Sequence, residues 1–175
     1  MDKKQVILLS LRYLFLVLIG LNSLYVFYLI FTPLTFYPSL WIAKWLFDGV
    51  AFPGNIIFAH GHYARIIPAC VAGAAYYLLT ILNFTTPMSV SKRVKSMSYI
   101  IIAFLVLNVL RIVLFINLLG EDFKYFDLSH ELTWYFGSTI LIIIIWFTNI
   151  IFFKISAIPI YSDLKNIFSD TKNKR

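Results

Sequence analysis

Three residues in this chain carry side chains suited to acyl transfer: Cys70, Arg111 and His130. A thiolate is the reactive form of cysteine, and a helix N-terminus with cations nearby favours it. A histidine beside a thiol can take its proton and later give it to a leaving amine. A guanidinium where water is scarce can hold an oxyanion or clamp a substrate carbonyl or carboxylate. Together these are the parts of a reaction through a thioester. Cys70 is the single cysteine, which excludes an intramolecular disulfide and a CxxC redox pair. The sequence holds no GxSG serine motif, no HExxH helix and no intramembrane aspartate pair.

Each of the three also has a plainer reading. Cys70, beside Ala69 and Ala72, fits a small packing residue; Arg111 fits a structural pair with Glu131 or Asp127; and a histidine at a helix start is commonly a surface residue. His60 and His62 have HxH spacing, and with Cys70 or His130 they form a zinc alternative. No further carboxylate is clearly placed to complete that set, so neither a metal nor a cofactor is expected.

The elements that position these residues follow from composition. Of 175 residues 61% are hydrophobic and only 13% charged, and the mean hydropathy is +0.84. A soluble domain is nearer half apolar and a quarter charged, and a core this small cannot hide the excess from water. The solvent for most of the chain is therefore lipid, which removes soluble enzymes, DNA-binding modules and secreted disulfide scaffolds. The expected fold class is all-α, a polytopic membrane protein forming one integral domain over 1–175. A span needs roughly 20 mostly apolar residues, and four stretches qualify: 6–31, 68–84, 97–119 and 130–153. The first is too long and too uniformly apolar for a cleavable signal peptide, although it carries Arg12 and the pair Asn22-Ser23.

Positive charge orients the spans. Lys3 and Lys4 precede the first, Lys92, Arg93 and Lys95 separate the second and third, and Lys154, Lys165, Lys172, Lys174 and Arg175 follow the fourth. The other two connections hold Lys44, Arg65 and Lys124 against Asp48, Glu121, Asp122 and Asp127. Lysine and arginine concentrate in cytoplasmic loops, so both termini are expected in the cytoplasm, with 154–175 a basic tail. The net charge of +7 thereby becomes a topology signal and an anionic-lipid contact, with no nucleic-acid partner expected. In the long outer connection, Leu40, Trp41, Lys44 and Trp45 at helical spacing predict an interfacial helix over 38–47. Short β-prone runs around His60-Gly61-His62 predict a β-hairpin.

On this topology Pro68 is a favourable first helical residue, which puts Cys70 in the first turn of the second span. Ser129 reads as the N-cap of the fourth span, with His130 in its first turn. Arg111 lies roughly 12 Å below the outer end of the third span, within partial reach of the surface by snorkelling. Asn108, three residues earlier, shares its face. Three helices thus bring Cys70, Arg111 and His130 to similar depth on one side of the membrane. An ionisable residue inside a span is expensive and needs a reason.

The stretch Ala64-Arg65-Ile66-Ile67-Pro68-Ala69-Cys70-Val71-Ala72-Gly73 resembles the cysteine motif of the exosortase and archaeosortase family. Asn108-Val109-Leu110-Arg111-Ile112 is similar to the family's asparagine-arginine motif on a later span, and His130, opening the last span, resembles its third element. Order, spacing and membrane side agree over a core of about residues 50–153. The resemblance implies a membrane cysteine peptidase-transpeptidase facing outward, with Cys70 as nucleophile, Arg111 as stabilising cation, His130 as acid-base partner, and Asn108 and Arg65 in support. It implies as partners exported proteins with a C-terminal tripartite tail, and membrane lipids, among them a lipid amine as acceptor. With four spans where most members have about eight, the chain is similar to the short archaeosortases, such as the pacearchaeosortases. Some archaeal members carry arginine where this chain has His130. The rival expectations are a small transporter or channel subunit, with Arg111 contacting an anion, and a non-catalytic membrane assembly factor.

Overall fold

The computed structural model describes residues 3–21, 24–121, 123–156 and 159, without the side chains of 3–6, 8 and 134. Asn22-Ser23, Asp122 and most of the basic tail, including Lys165, Lys172, Lys174 and Arg175, lie outside the described residues. The chain runs α1 (Lys3–Gly20), α2 (Tyr25–Phe47), β1 (Val50–Phe52), β2 (Ile56–Ala59), β3 (His62–Arg65), α3 (Pro68–Val71), α4 (Gly73–Thr85), α5 (Val90–Gly120), α6 (Phe126–Leu132), a π-helical turn (Thr133–Gly137) and α7 (Ser138–Phe153). Four helical segments are long and apolar enough to cross a membrane: Tyr25–Phe47, Pro68–Thr85, Val90–Gly120 and Phe126–Phe153. The expected all-helical, four-span architecture is the observed one.

The boundaries differ where local chemistry overrides hydropathy. The apolar run 6–31 is broken at Leu24, whose backbone is left-handed (φ 61°), so the spanning helix is Tyr25–Phe47 and α1 is a shorter apolar helix packed against α4. Residues 38–47 are helical as expected, but they are the last turns of α2 and not a separate interfacial helix. Pro33 and Pro38 sit inside α2; each lacks the N–H that a carbonyl four residues earlier would accept from, yet the helix continues through both. Trp41 and Trp45 point outward from it, 74% and 82% exposed. Helix α5 starts at Val90 instead of Met97, because Ser89 caps it, accepting from the Lys92 amide at 3.4 Å.

Aromatic contacts lock the bundle. Tyr76 of α4 is fully buried, stacked on Phe31 of α2 with ring centroids 3.6 Å apart and edge-on to Phe104 of α5 at 4.8 Å. Leu79, Ile100 and Ile145 extend this core through α4, α5 and α7. The outward faces stay apolar, as on α7, where Phe147, Ile151 and Phe152 are exposed. Such faces suit hydrocarbon as the surrounding solvent.

The sheet closes one end of the bundle. Its order is β1-β2-β3, all antiparallel, so the expected hairpin is present as β2-β3 and gains a third strand. The turn between them is His60-Gly61, both with positive φ (50° and 79°), the conformation that a two-residue hairpin favours and glycine adopts freely. His60 packs on Phe47 of α2 with ring centroids 4.8 Å apart, and also lies against Gly120 at the end of α5. Phe15 of α1 meets Phe84 at the far end of α4, and Phe152 and Phe153 of α7 meet Tyr99 of α5. Those contacts lie at the end of the bundle opposite the sheet.

Candidate active site

Helix α3 is a single turn. Pro68 opens it at the first helical position after the extended Ile67, and Ala72, left-handed at φ 58°, closes it. Gly73 then starts α4 against Tyr28; a Cβ at Gly73 would come within 2.8 Å of the tyrosine ring. The break at Ala72 therefore lies where α4 packs against α2. It takes the carbonyls of Cys70 and Val71 out of a continuous helical ladder, and buried carbonyls need partners.

Helix α5 supplies them. The fully buried Asn108 donates through Nδ2 to the Cys70 carbonyl at 2.9 Å and to the Val71 carbonyl at 3.4 Å. One turn later, Arg111 donates from Nη2 to the same Cys70 carbonyl at 3.3 Å and from Nη1 to Ser138 Oγ at 2.8 Å. The expected shared face of Asn108 and Arg111 is real, and its target is the backbone of the cysteine itself. The partners of Arg111 are this carbonyl and a hydroxyl, in place of the Glu131 or Asp127 carboxylate considered from sequence. A guanidinium carries five N–H donors, so donors remain beyond the two in these bonds.

His130 lies in α6, which begins at Phe126 and not at His130; Ser129 is inside this helix and does not cap it. The reason is aromatic. The Phe126 ring stacks on His130 with centroids 5.8 Å apart, and both rings meet Phe115 of α5 edge-on. These contacts carry the helix one turn upstream and fix the plane of the imidazole.

Cys70, Arg111, His130 and Arg65 all line one cavity of about 290 Å³ under the sheet, walled by Phe115 and Phe126 among others. Cys70 is half-buried and free. Arg111 also borders a second, lateral groove between α5 and α7, next to Gly137. The adjoining π-helical turn is a form seen frequently at functional sites. Arg65 ends β3 and is exposed at the cavity's edge. His60 packs against Phe47 and Gly120, and among the described residues no three histidine, cysteine, aspartate or glutamate side chains cluster as a metal site.

Two participants escaped the sequence reading. Ser138, which anchors Arg111, looks like any hydroxyl in an apolar run. Tyr63, on the cavity wall, belongs to a strand whose position is set only by the tertiary fold. No protein-family model, no curated protein and no solved structure matches this chain.

Proposed function

We propose that this protein is a membrane cysteine peptidase-transpeptidase that removes the C-terminal sorting tail of exported proteins and passes them to an amine acceptor, such as a lipid amine. The observation that carries the reading is that Cys70, Arg111 and His130, drawn from three different segments, border one cavity. The resemblance of their motifs to the exosortase and archaeosortase family supports the same chemistry. Lys92, Arg93 and Lys95 lie at the start of α5, and Lys154 caps the end of α7. The positive-inside rule therefore puts that end in the cytoplasm and the cavity on the outer side of the cytoplasmic membrane.

In this mechanism Cys70 Sγ attacks the scissile carbonyl carbon, and His130 takes the thiol proton. Negative charge grows on the carbonyl oxygen, where the remaining N–H groups of Arg111 stabilise it. As the C–N bond breaks, His130 returns the proton to the departing amine, leaving a thioester on Cys70. An acceptor amine, or water, then attacks that thioester, giving its proton to His130, which passes it to the departing Cys70 thiolate and restores the thiol. The phenyl rings of Phe115 and Phe126 give the cavity an apolar wall, beside which electrostatic contacts are stronger than in bulk water.

The test is co-expression with an exported protein ending in a short motif, a hydrophobic span and a basic cluster. Cys70→Ala is expected to leave the tail uncut on an immunoblot. Continued cutting by that variant would overturn the mechanism, and mass spectrometry of the new C-terminus in the wild-type strain identifies the acceptor.

A further inference from the structure

Strand β3 is an edge strand. It pairs with β2 through Ile57 opposite Ala64 and Ala59 opposite His62, and among the described residues no strand pairs with its other side. The Ile66 amide donates to the Asn55 carbonyl at 2.9 Å. Hydrogen-bonded pairs alternate along an antiparallel ladder. His62, Ala64 and Ile66 therefore turn their backbone groups toward β2, and Tyr63 and Arg65 turn theirs away from it. Ala64 faces the bundle and Tyr63 the exposed side, the alternation seen in their burial. The cavity nevertheless touches Tyr63, Ala64, Arg65 and Ile66 in succession. A space that touches consecutive residues whose side chains point to opposite faces runs along the strand's edge. One edge belongs to β2, so the cavity lies along the free one, with Cys70 bordering the same space.

We infer that this edge is the substrate-binding element: an extended peptide segment adds to β3 as a fourth strand, bonded to the backbone N–H and C=O groups of Tyr63 and Arg65. This rests on Cys70 being the nucleophile. Strand addition supplies affinity through the main chain and selects side chains at alternate positions. One alternate set points into the cavity against Phe115 and Ile116, so the segment carries an apolar side chain there. The ladder also holds the peptide's carbonyls in a fixed register against the thiol, the positioning that acyl transfer requires.

Because the protein has one cysteine, alkylation reports on Cys70 alone. The full-length protein in lipid nanodiscs is treated with N-acetyl-tetra-alanine chloromethyl ketone, whose carbon replaces chloride with Sγ, and with iodoacetamide as a reagent lacking a peptide. The peptide reagent is expected to react faster than iodoacetamide once both rates are scaled to free cysteine. N-methylation of its amides one at a time is expected to slow it by about tenfold at alternate positions only, the loss of one hydrogen bond. Tyr63→Pro removes an outward N–H, and the ratio of the peptide reagent's rate to that of iodoacetamide, both measured on this variant, is expected to fall to the free-cysteine ratio. No advantage, an equal effect of methylation at every position, or an advantage that survives Tyr63→Pro overturns strand addition. The methylation pattern is read on the wild type, so it decides the matter even if the proline variant does not fold. Cutting by Cys70→Ala alongside an alternating pattern would sink the chemistry and keep the peptide site; the reverse pair of results would do the opposite.

Discussion

Two arginines about five turns apart on α5 hold the two ends of α4 in contrasting ways. Arg93 sits at the end where α4 stops, donating to the carbonyls of Asn83, Phe84 and Thr86, with its guanidinium beside the Phe84 ring. Arg111 sits at the other end, giving one bond to the Cys70 carbonyl and one to Ser138, and fronting a cavity. Their asparagines differ likewise. Near Arg93, the buried chain Asn83-Ser96-Asn149 links α4, α5 and α7 through side chains at 2.8 and 2.9 Å. Near Arg111, Asn108 spends its amide on a broken helix. The first end is a clamp, bonded across three helices, although Asn83 Oδ1 and Asn149 Nδ2 are buried without a partner. The second leaves guanidinium donors beside a cavity.

The sharpest way to break this contrast is to exchange each arginine for lysine. Arg111→Lys keeps a charge but loses the planar fork, and tail processing is expected to fall about 100-fold, the scale of a lost oxyanion donor. Quantified cleavage in co-expressing cells would read it, and full activity would reduce Arg111 to a point charge. Arg93→Lys is expected to lower the thermal midpoint in detergent while leaving cleavage per folded molecule unchanged.

Asn108→Leu leaves the buried Val71 carbonyl without its donor and the Cys70 carbonyl with Arg111 alone, an expected loss of about 1–3 kcal/mol in unfolding free energy. Cleavage should fall with it, because the turn holding Cys70 loses its tie. Asn149→Leu removes the acceptor of the Ser96 hydroxyl, which still accepts from Asn83, and is expected to cost about 1 kcal/mol by the same measurement, without a change in the cleavage rate of the folded protein. Ser138→Ala is expected to cost a similar amount, about 0.5–1.5 kcal/mol for one hydrogen bond, but to be read as a few-fold slower cleavage. Were Asn149→Leu to slow cleavage as much as Asn108→Leu, the two ends would not be functionally distinct.

Much of this was legible in the residue order. Apolar runs announce spans because lipid admits few alternatives to the helix, and Pro68, Gly61 and the strand-forming residues around it mark their own local structure. The first span lies further along than hydropathy places it, because a hydropathy window averages over Asn22-Ser23 and does not register the left-handed backbone at Leu24. The start of α6 was misplaced because Phe115, eleven residues upstream of Phe126, extends it through space. Arg111 stands out because a charge is costly in lipid, and Cys70 and His130 because the starts of their spans put them at its depth; Ser138 does not, since a hydroxyl in an apolar run is common.

The sequence by itself determined the solvent, the number of spans and the chemical identities at the site, because transfer free energy and reactivity belong to single residues. Tertiary structure alone decided that the helix breaks at Ala72 between α3 and α4, that Asn108 and Arg111 bond the carbonyl of Cys70, and that β3 borders the same cavity as Cys70. Those are pairings between segments far apart in the chain, and their energies exist only once α2, α4 and α5 have packed around Tyr76.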